Sequence, residues 1–435
     1  MKAVRKKIMP HVELTCICTD KFKTNCLSVN LLTQLNRATA SQNALIPRVL
    51  RRGSARYPDM ESISAALDEL YGARLEPIAR KKGEIQAVGF YADFSDDAFL
   101  PGNERLLEKV AALLGELLLS PNTRGGLLLP QYVDSEREKL LEQIRARINE
   151  KRGYALHRLF ELMCFSEDYA VDRLGTEEEA AAINYTKLTK RYKELLMTSP
   201  IEIFYCGGAD PIRVERAVLS ALETLPRGEI DRDCGTDIRL NAIDDSPRYF
   251  TEEMDVSQGK LAVGFRLGDC MVNPEPAAIR VANAVYGGSV TSKLFMNVRE
   301  KLSLAYYASS VADWHKGIMA VSSGIEVSNY DAALGEIFAQ LDAMRNGDIS
   351  DDELTAAKRY VVSSLRAIPD MPGSLEDFYL GQNIEGLDDG PEDMAEAAEA
   401  VTAGDVVKIA AGIECDAVYF LKGEESEDEA EADTL

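Results

Sequence analysis

The stretch YGGSVTSKLFMNVREKLSLAYY, residues 286–307, carries residue types that could hold a ligand. Its glycine pair, Gly287 and Gly288, precedes a helix that the pattern predicts to start near Ser289–Ser292. The first backbone N–H groups of a helix have no partner within the helix, so they can meet a carboxylate or a carbonyl of a ligand. The same pattern is also typical of a plain turn between two helices.

Two polar side chains follow in the same stretch. Arg299 lies late in the predicted helix, and Tyr306 begins a predicted strand together with Tyr307. Taken alone, Arg299 could be one more solvated helix charge, and either tyrosine could face the core of a sheet. The residues by themselves leave both interpretations open.

Metal and nucleophile chemistry receives little support from residue spacing. The three histidines, His11, His157 and His315, are too far apart for any two to share one helical turn. Neither a G-x-S-x-G elbow nor a G-x-x-x-x-G-K-[ST] loop is present. The eight cysteines form no C-x-x-C pair, and we expect them to be reduced and mostly small core residues.

The composition indicates a globular protein that avoids polyanions. The 435 residues carry a formal net charge of −23, which disfavours nucleic acid and anionic membrane surfaces as partners. The run EESEDEAEAD makes residues 424–435 a predicted disordered acidic tail. The basic start, MKAVRKKIMP, is followed by a segment too polar for a signal core, so we expect a cytoplasmic protein.

The elements that would position these residues alternate between strands and helices. We expect two strands around a turn within residues 12–32, a helix near Asn43–Arg52, and a long helix from about Val133 to Cys164. Residues 305–314 and 317–326 are predicted to form a strand pair. The order of strands, helices, strands and helices occurs twice along the chain.

This repetition predicts an α+β fold of two similar domains, each an antiparallel sheet packed with helices. The predicted boundaries are 1–225 for the first domain and 247–423 for the second, joined by a polar linker at 226–246 that shows no periodicity.

The segment at 286–307 resembles the C-terminal-domain signature of the insulinase/pitrilysin-type zinc peptidases, in the branch of the mitochondrial processing peptidase. The positions that carry the resemblance are Gly287, Gly288, Ser292, Leu294, Phe295, Arg299 and Tyr306. The two-domain plan also matches over nearly the whole chain. TDKFKTN and DELYGARLE further resemble a bacterial branch associated with modification of translation elongation factor P.

Members of this family carry an inverted zinc helix, His-x-x-Glu-His, in the first half. The resemblance aligns that helix with NALIPRVLRRGS, which puts Ala44 and Arg48 on the two histidines and Pro47 on the catalytic glutamate. The third ligand falls on Gln143. We expect the helix to begin at Pro47, because proline is tolerated in a first turn. No metal or other cofactor is expected, since Arg48 places a cation where Zn²⁺ would lie.

The resemblance implies a non-catalytic subunit that pairs with a zinc-bearing homologue and completes its peptide-cleaving chamber. Arg299 and Tyr306 would donate to a peptide carbonyl as it becomes an oxyanion. Gly287, Gly288 and Ser289 would contact the substrate backbone. The partner is expected to be a homologous chain in a heterodimer, with a homodimer as the other possibility, and the substrate a peptide or unfolded protein. The alternative is a structural or peptide-binding scaffold without a catalytic role.

Overall fold

A computed structural model of the chain describes residues 2–102, 104–231 and 234–423. The strands are β1 (Ala3–Met9), β2 (Val12–Cys18), β3 (Thr24–Gln34), β4 (Arg74–Lys82), β5 (Ile85–Ser95), β6 (Thr123–Arg124), β7 (Leu127–Leu128), β8 (Ile201–Gly207), β9 (Arg248–Glu253), β10 (Gly259–Arg266), β11 (Ala305–Asp313), β12 (Ile318–Ile325) and β13 (Glu414–Lys422).

The helices are α1 (Arg37–Leu50), α2 (Met60–Glu69), α3 (Leu106–Leu119), α4 (Pro130–Ala146), α5 (Lys151–Met163), α6 (Glu177–Ala181), α7 (Tyr185–Thr198), α8 (Pro211–Ala221), α9 (Pro276–Asn283), α10 (Tyr330–Arg345), α11 (Asp351–Ala367), α12 (Pro372–Ile384), α13 (Pro391–Ala400) and α14 (Ala403–Gly412). Two π-helical segments, Ala284–Gly288 and Phe295–Lys301, follow α9. Within the described ranges, no helix has both the length and the apolar composition to cross a bilayer.

The described residues form two compact units, and neither unit is continuous in sequence. The first unit comprises the described residues of Met1–Ala146, Val171–Thr236 and Ile368–Gly390, and the second those of Arg147–Ala170, Asp237–Ala367 and Pro391–Leu435. Each half of the chain therefore contributes one helical segment to the unit that the other half mainly builds. The sequence-based boundaries at 225 and 247 stay a prediction, and the predicted acidic tail lies outside the described residues.

The first unit is built on a six-stranded sheet of order β1-β2-β8-β3-β5-β4. All neighbouring strands are antiparallel except β2 and β8, which are parallel. Central strand β8 is buried on both faces. Ile203 and Tyr205 join the large core under the surrounding helices, whereas Phe204 and Cys206 face the opposite side and pack with Leu375 of α12.

Helix α12 is fixed to this sheet by polar contacts as well as by apolar ones. The Glu376 carboxylate is 1% exposed and accepts a hydrogen bond from Ser28 Oγ at 2.7 Å. Arg80 Nη2 donates to the same carboxylate at 2.9 Å. Because burying one partner of an ion pair without the other is costly, this pair requires α12 and β4 to be present together.

The second unit repeats the plan with a five-stranded sheet of order β11-β12-β10-β13-β9, in which only β13 and β9 are parallel. Leu159 and Met163 of α5 pack on one face of this sheet. The loop after α5 carries Glu167, whose carboxylate binds the buried Arg266 guanidinium at 2.6 Å and Lys316 Nζ at 2.7 Å. Both sheets are mostly antiparallel and helix-packed.

Helix α1 differs from its prediction. It begins at Arg37, where the Asn36 side chain accepts a hydrogen bond from Ala38 N–H, and it continues past Pro47 to Leu50. The expectation that the helix starts at Pro47 is wrong. Proline has no N–H, so the helix lacks the one backbone hydrogen bond that residue 47 would donate. The Pro47 carbonyl still accepts from Arg51 N–H at 3.0 Å, and the helix therefore continues past the proline.

The long helix predicted over Val133–Cys164 is also wrong, because it is two helices. Helix α4 ends at Ala146, and a 3₁₀ turn over Arg147–Asn149 separates it from α5. Glu150 caps the start of α5 by accepting from two backbone N–H groups, of which Arg152 N–H lies at 3.2 Å. The break falls where the chain passes from the first unit to the second.

Candidate functional site

The positions aligned with a zinc site lie together on α1 and α4 of the first unit. Arg48 Nη2 donates a hydrogen bond to Gln143 Oε1 at 2.7 Å, although 95 residues separate the two in sequence. Ala44 lies one turn before Arg48 and is fully buried in the core of the unit. Pro47 is buried within the same helix. The structure therefore gathers the four predicted positions around one helix–helix contact.

These side chains do not fit a zinc ion. Ala44 and Pro47 offer no donor atom, and Arg48 is a cation whose nitrogens carry protons rather than free lone pairs. Burial lowers the pKa of Arg48, the nearby Glu136 carboxylate opposes that effect, and Arg173 adds to it. Across the described ranges, no group of three or more His, Cys, Asp or Glu side chains is arranged to hold a metal.

The glycine pair of the second unit lies in a π-helical segment, Ala284–Gly288. The helix expected after it starts later than Ser289–Ser292 and is π-helical over Phe295–Lys301. Ser292 caps it, with Oγ accepting from Phe295 N–H at 3.3 Å. π-helical turns are rare and occur frequently at functional sites. The sequence did not predict them, because π-helical and α-helical turns differ in their backbone hydrogen bonds and are built from the same helix-forming residue types.

Both glycines are required by close packing. A Cβ on Gly287 would lie 2.7 Å from the backbone nitrogen of Ser310 on edge strand β11. A Cβ on Gly288 would lie 2.6 Å from Asn283 Nδ2. Ser289 is extended, and its Oγ donates to the Ala284 carbonyl at 3.1 Å. Packing thus accounts for the two glycines, and their contact with substrate, like that of Ser289, stays a prediction.

Arg299 and Tyr306 both reach the surface of the second unit. The Arg299 side chain is 42% exposed, and its guanidinium lies 4.7 Å from the Phe295 ring centroid. Tyr306 is 52% exposed and is the extra residue of a β-bulge between β11 and β12. Its hydroxyl donates to the Glu326 carboxylate, and this hydrogen bond raises the pKa of Tyr306. The raised pKa favours the protonated hydroxyl, and a ligand must displace Glu326 to accept the hydrogen bond that Tyr306 donates.

The edge of the first sheet at β4 is closed to an added strand. The Leu75 carbonyl accepts from Arg51 Nε at 2.9 Å, and the Ala79 carbonyl accepts from Arg173 Nη1 at 3.1 Å. Carbonyls four residues apart lie on the same strand edge. Pro77, between them, has no N–H. Occupied carbonyls and a proline are the means by which proteins protect a free edge.

The fold and the site define a class: a two-unit α+β protein in which the positions aligned with a zinc site, Ala44, Pro47, Arg48 and Gln143, do not form a set of zinc ligands. The model of the family described as "Peptidase M16 inactive domain" matches residues 182–361. The "Probable inactive metalloprotease YmfF" of Bacillus subtilis (strain 168) is 34% identical over 429 residues, covering 98% of this chain and 99% of that one. The chain therefore belongs to the M16 peptidase family, as an inactive peptidase-like member.

Solved structures confirm the predicted fold class. A conserved protein from Enterococcus faecalis V583 has a TM-score of 0.88 and 27% identity, over 98% of this chain and 100% of that chain. The M16 inactive domain from Pseudomonas fluorescens has a TM-score of 0.78 at 13% identity, over 98% of each chain.

Proposed function

We propose that this chain is a non-catalytic subunit that pairs with a zinc-bearing M16 homologue and contributes Arg299 and Tyr306 to the shared peptide-cleaving chamber. The observation that carries the proposal is the Arg48–Gln143 hydrogen bond, which puts a guanidinium and an amide at the positions that the family resemblance aligns with zinc ligands. A chain that has lost its own metal ligands but keeps two exposed donors fits the half that completes a partner's site.

The partner would supply the metal and the general base, so this chain's contribution is positioning and charge stabilisation. The Arg299 guanidinium and the Tyr306 hydroxyl are both hydrogen-bond donors, and the hydrogen bond to Glu326 raises the pKa of Tyr306, which favours the protonated hydroxyl. Donors aimed at an oxyanion act mainly in the transition state. Substrate entry would then redirect the hydrogen bond of the Tyr306 hydroxyl from the Glu326 carboxylate to the peptide carbonyl.

The test is to co-express this chain with a homologue that keeps His-x-x-Glu-His and to follow cleavage of an unstructured fluorogenic peptide. Removing one oxyanion donor typically costs about a hundredfold or more in kcat. We expect Tyr306→Phe and Arg299→Ala to lower kcat in this way and to change KM much less. Tyr249→Phe is the matched control, because Tyr249 is an exposed tyrosine of the same unit.

Size-exclusion chromatography must first show that each variant assembles. Complexes of both variants that cleave at the wild-type rate would contradict a catalytic contribution. A chain that forms no complex with any zinc-bearing homologue would contradict the pairing itself.

The second candidate function is a peptide-binding or structural scaffold. The Tyr306–Glu326 hydrogen bond and the packing role of the glycine pair favour it, since both account for signature residues without catalysis. No residue described above points to elongation factor P as a ligand, so that association, the narrower assignment to the mitochondrial-processing-peptidase branch and the cytoplasmic location remain predictions from the sequence.

A further inference from the structure

The sheet of the second unit has one strand fewer than that of the first, and the difference lies beside β9. The order β11-β12-β10-β13-β9 repeats the order β4-β5-β3-β8-β2 of the first sheet, with the same strand directions and the single parallel pair at the same place. In the first sheet, β1 adds an antiparallel strand to β2. Beside β9, which is the counterpart of β2, the described residues place no strand.

The open edge of β9 has free backbone groups. This strand pairs with β13 alone, and an edge strand presents a row of N–H and C=O groups on its open side. Among the described residues, no group outside β13 forms a hydrogen bond with the peptide groups of β9. The chain that precedes β9 forms no strand, and Ala242 N–H within it donates to the Glu414 carboxylate of β13 at 3.1 Å. The place that β1 fills in the first sheet is therefore not filled by this segment in the second.

The other three outer strands of the two large sheets are protected. β4 is closed by arginine side chains and a proline, as described above. At β11 the glycine segment approaches the edge so closely that a Cβ on Gly287 would lie 2.7 Å from the backbone nitrogen of Ser310. β1 carries Arg5, Lys6 and Lys7, and charged residues, lysine above all, oppose pairing with a further strand. The sequence of β9, RYFTEE, contains neither lysine nor proline.

The first unit shows what kind of strand fits this place in the fold. β1 has the sequence AVRKKIM, which combines basic with apolar residues. Its basic side chains are held by carboxylates of neighbouring elements: Arg5 Nη2 lies 2.6 Å from Glu202 of β8, and Lys6 Nζ lies 2.7 Å from Glu215 of α8. A basic strand beside an acidic neighbourhood is therefore the combination that this fold already uses.

We propose that β9 binds an extended segment of another protein chain as an antiparallel strand, and that this segment combines basic with apolar residues. Main-chain hydrogen bonds provide affinity in this mode, and alternate side chains provide selectivity. Glu253 pairs with Lys422 at 3.0 Å but stays 55% exposed, so it favours a cation on the added strand. Thr251, exposed two residues earlier, favours a β-branched neighbour. The proposal goes beyond the function proposed above and does not depend on it.

Fluorescence anisotropy with the full-length chain and the labelled peptide KAVRKKIM, the sequence of residues 2–9, tests the proposal. A second peptide has the same sequence with N-methyl groups on residues 3–8, which keeps the charges and removes the backbone donors. We expect the methylated peptide to bind about tenfold or more weakly, because several N–H···O bonds are lost. No homologous partner is present, so a failure of the pairing proposed above does not affect the result.

Charge variants and hydrogen exchange locate the bound peptide. Glu253→Lys should weaken binding by about fivefold or more, because it sets a cation against a cation. Glu396→Lys, at an exposed acidic residue of α13 in the same unit, is the matched control and should change nothing. The unmethylated peptide should slow amide exchange in fragments that contain β9 and leave fragments that contain β4 unchanged.

Three results would overturn the proposal: no binding by wild type, equal binding of both peptides, or protection by the peptide at a site other than β9. A dimer of this chain in which β9 is already protected without peptide would also overturn it, because the edge would then belong to a second copy.

Discussion

Arg48 takes the place of a zinc ligand in the alignment that the family resemblance implies, and its contact with Gln143 supports that alignment. The two side chains lie on different helices and meet within hydrogen-bonding distance. Ligands for zinc must converge to about 2 Å from one point, which a pair of facing helices can achieve. Side chains at these positions on α1 and α4 can therefore approach one another, as the ligands of one metal must.

A gain of metal binding tests this interpretation. The variant Ala44→His/Arg48→His/Gln143→Glu should bind close to one zinc per chain by elemental analysis, whereas wild type should contain far less. It should not cleave peptides, because Pro47 leaves no general base. The pair Arg48→His/Gln143→Glu, which leaves buried Ala44 intact, should bind zinc more weakly. Folded variants that take up no more zinc than wild type would contradict the assignment.

The sequence assigns Arg48 and Gln143 to one site only through the family resemblance, because no local pattern joins positions 95 residues apart. No sequence motif predicts the hydrogen bond from Tyr306 to Glu326, because it depends on a β-bulge that turns Tyr306 out of register.

At the scale of elements, α12 covers β8 and encloses a carboxylate. Glu202 of β8 bonds Arg5 Nη2 at 2.6 Å and Asn383 Nδ2 of α12 at 3.0 Å. Burial nevertheless raises the pKa of Glu202 to about 7, and Arg5 only partly opposes this. The protonated form is thus favoured in the folded protein relative to an unfolded chain, where the pKa is about 4.3.

This shift predicts how stability depends on pH. Between about pH 4.5 and pH 7 the folded protein binds more protons than the unfolded chain, so Glu202 makes the free energy of unfolding fall as pH rises. The loss amounts to roughly 4 kcal/mol at most. Glu202→Gln should remove this part of the slope in denaturant titrations at pH 5, 6, 7 and 8. Glu69→Gln, at an exposed acidic residue of the same unit, serves as the control, and identical slopes for wild type and Glu202→Gln would contradict the prediction.

Elements with a clear periodicity were predictable, and irregular ones were not. The strands β11 and β12 follow from two short, largely apolar runs separated by a turn, and the pairing of β11 with β12 is confirmed. The break between α4 and α5 was missed because the apolar spacing continues through it. The sequence predicts an ordinary helix where Phe295–Lys301 is π-helical, because residue types do not distinguish i→i+5 from i→i+4 backbone hydrogen bonds.

At the scale of the whole molecule, the two sequence halves exchange one helix each. Leu375 and Leu380 of α12 fill the first unit, and Leu159 and Met163 of α5 fill the second. Each fully buried apolar side chain contributes roughly 1.5–3 kcal/mol. The tandem repeat was predictable from the order of elements. The exchange was not, because a helix shows that it has an apolar face without showing which sheet covers it.

A cut in the linker should therefore leave the halves associated. With a protease site inserted between Asp245 and Ser246, both exposed, cleavage should give fragments that co-elute on size-exclusion chromatography and separate only on denaturing gels. Fragment 1–245 expressed alone lacks α12 and should bind a hydrophobic dye or precipitate. Native fragments that elute separately would contradict the structural exchange.

The exchanged helices also bear on inheritance. Glu376 is encoded in the second half of the gene and its partner Arg80 in the first, while Glu167 and Arg266 have the opposite arrangement. A crossover at the linker between diverged copies would combine charges that were not selected together, and it would do so in both units at once. Although the chain resembles two modules in series, recombination cannot shuffle them freely, and we expect the two halves to descend as a single hereditary unit.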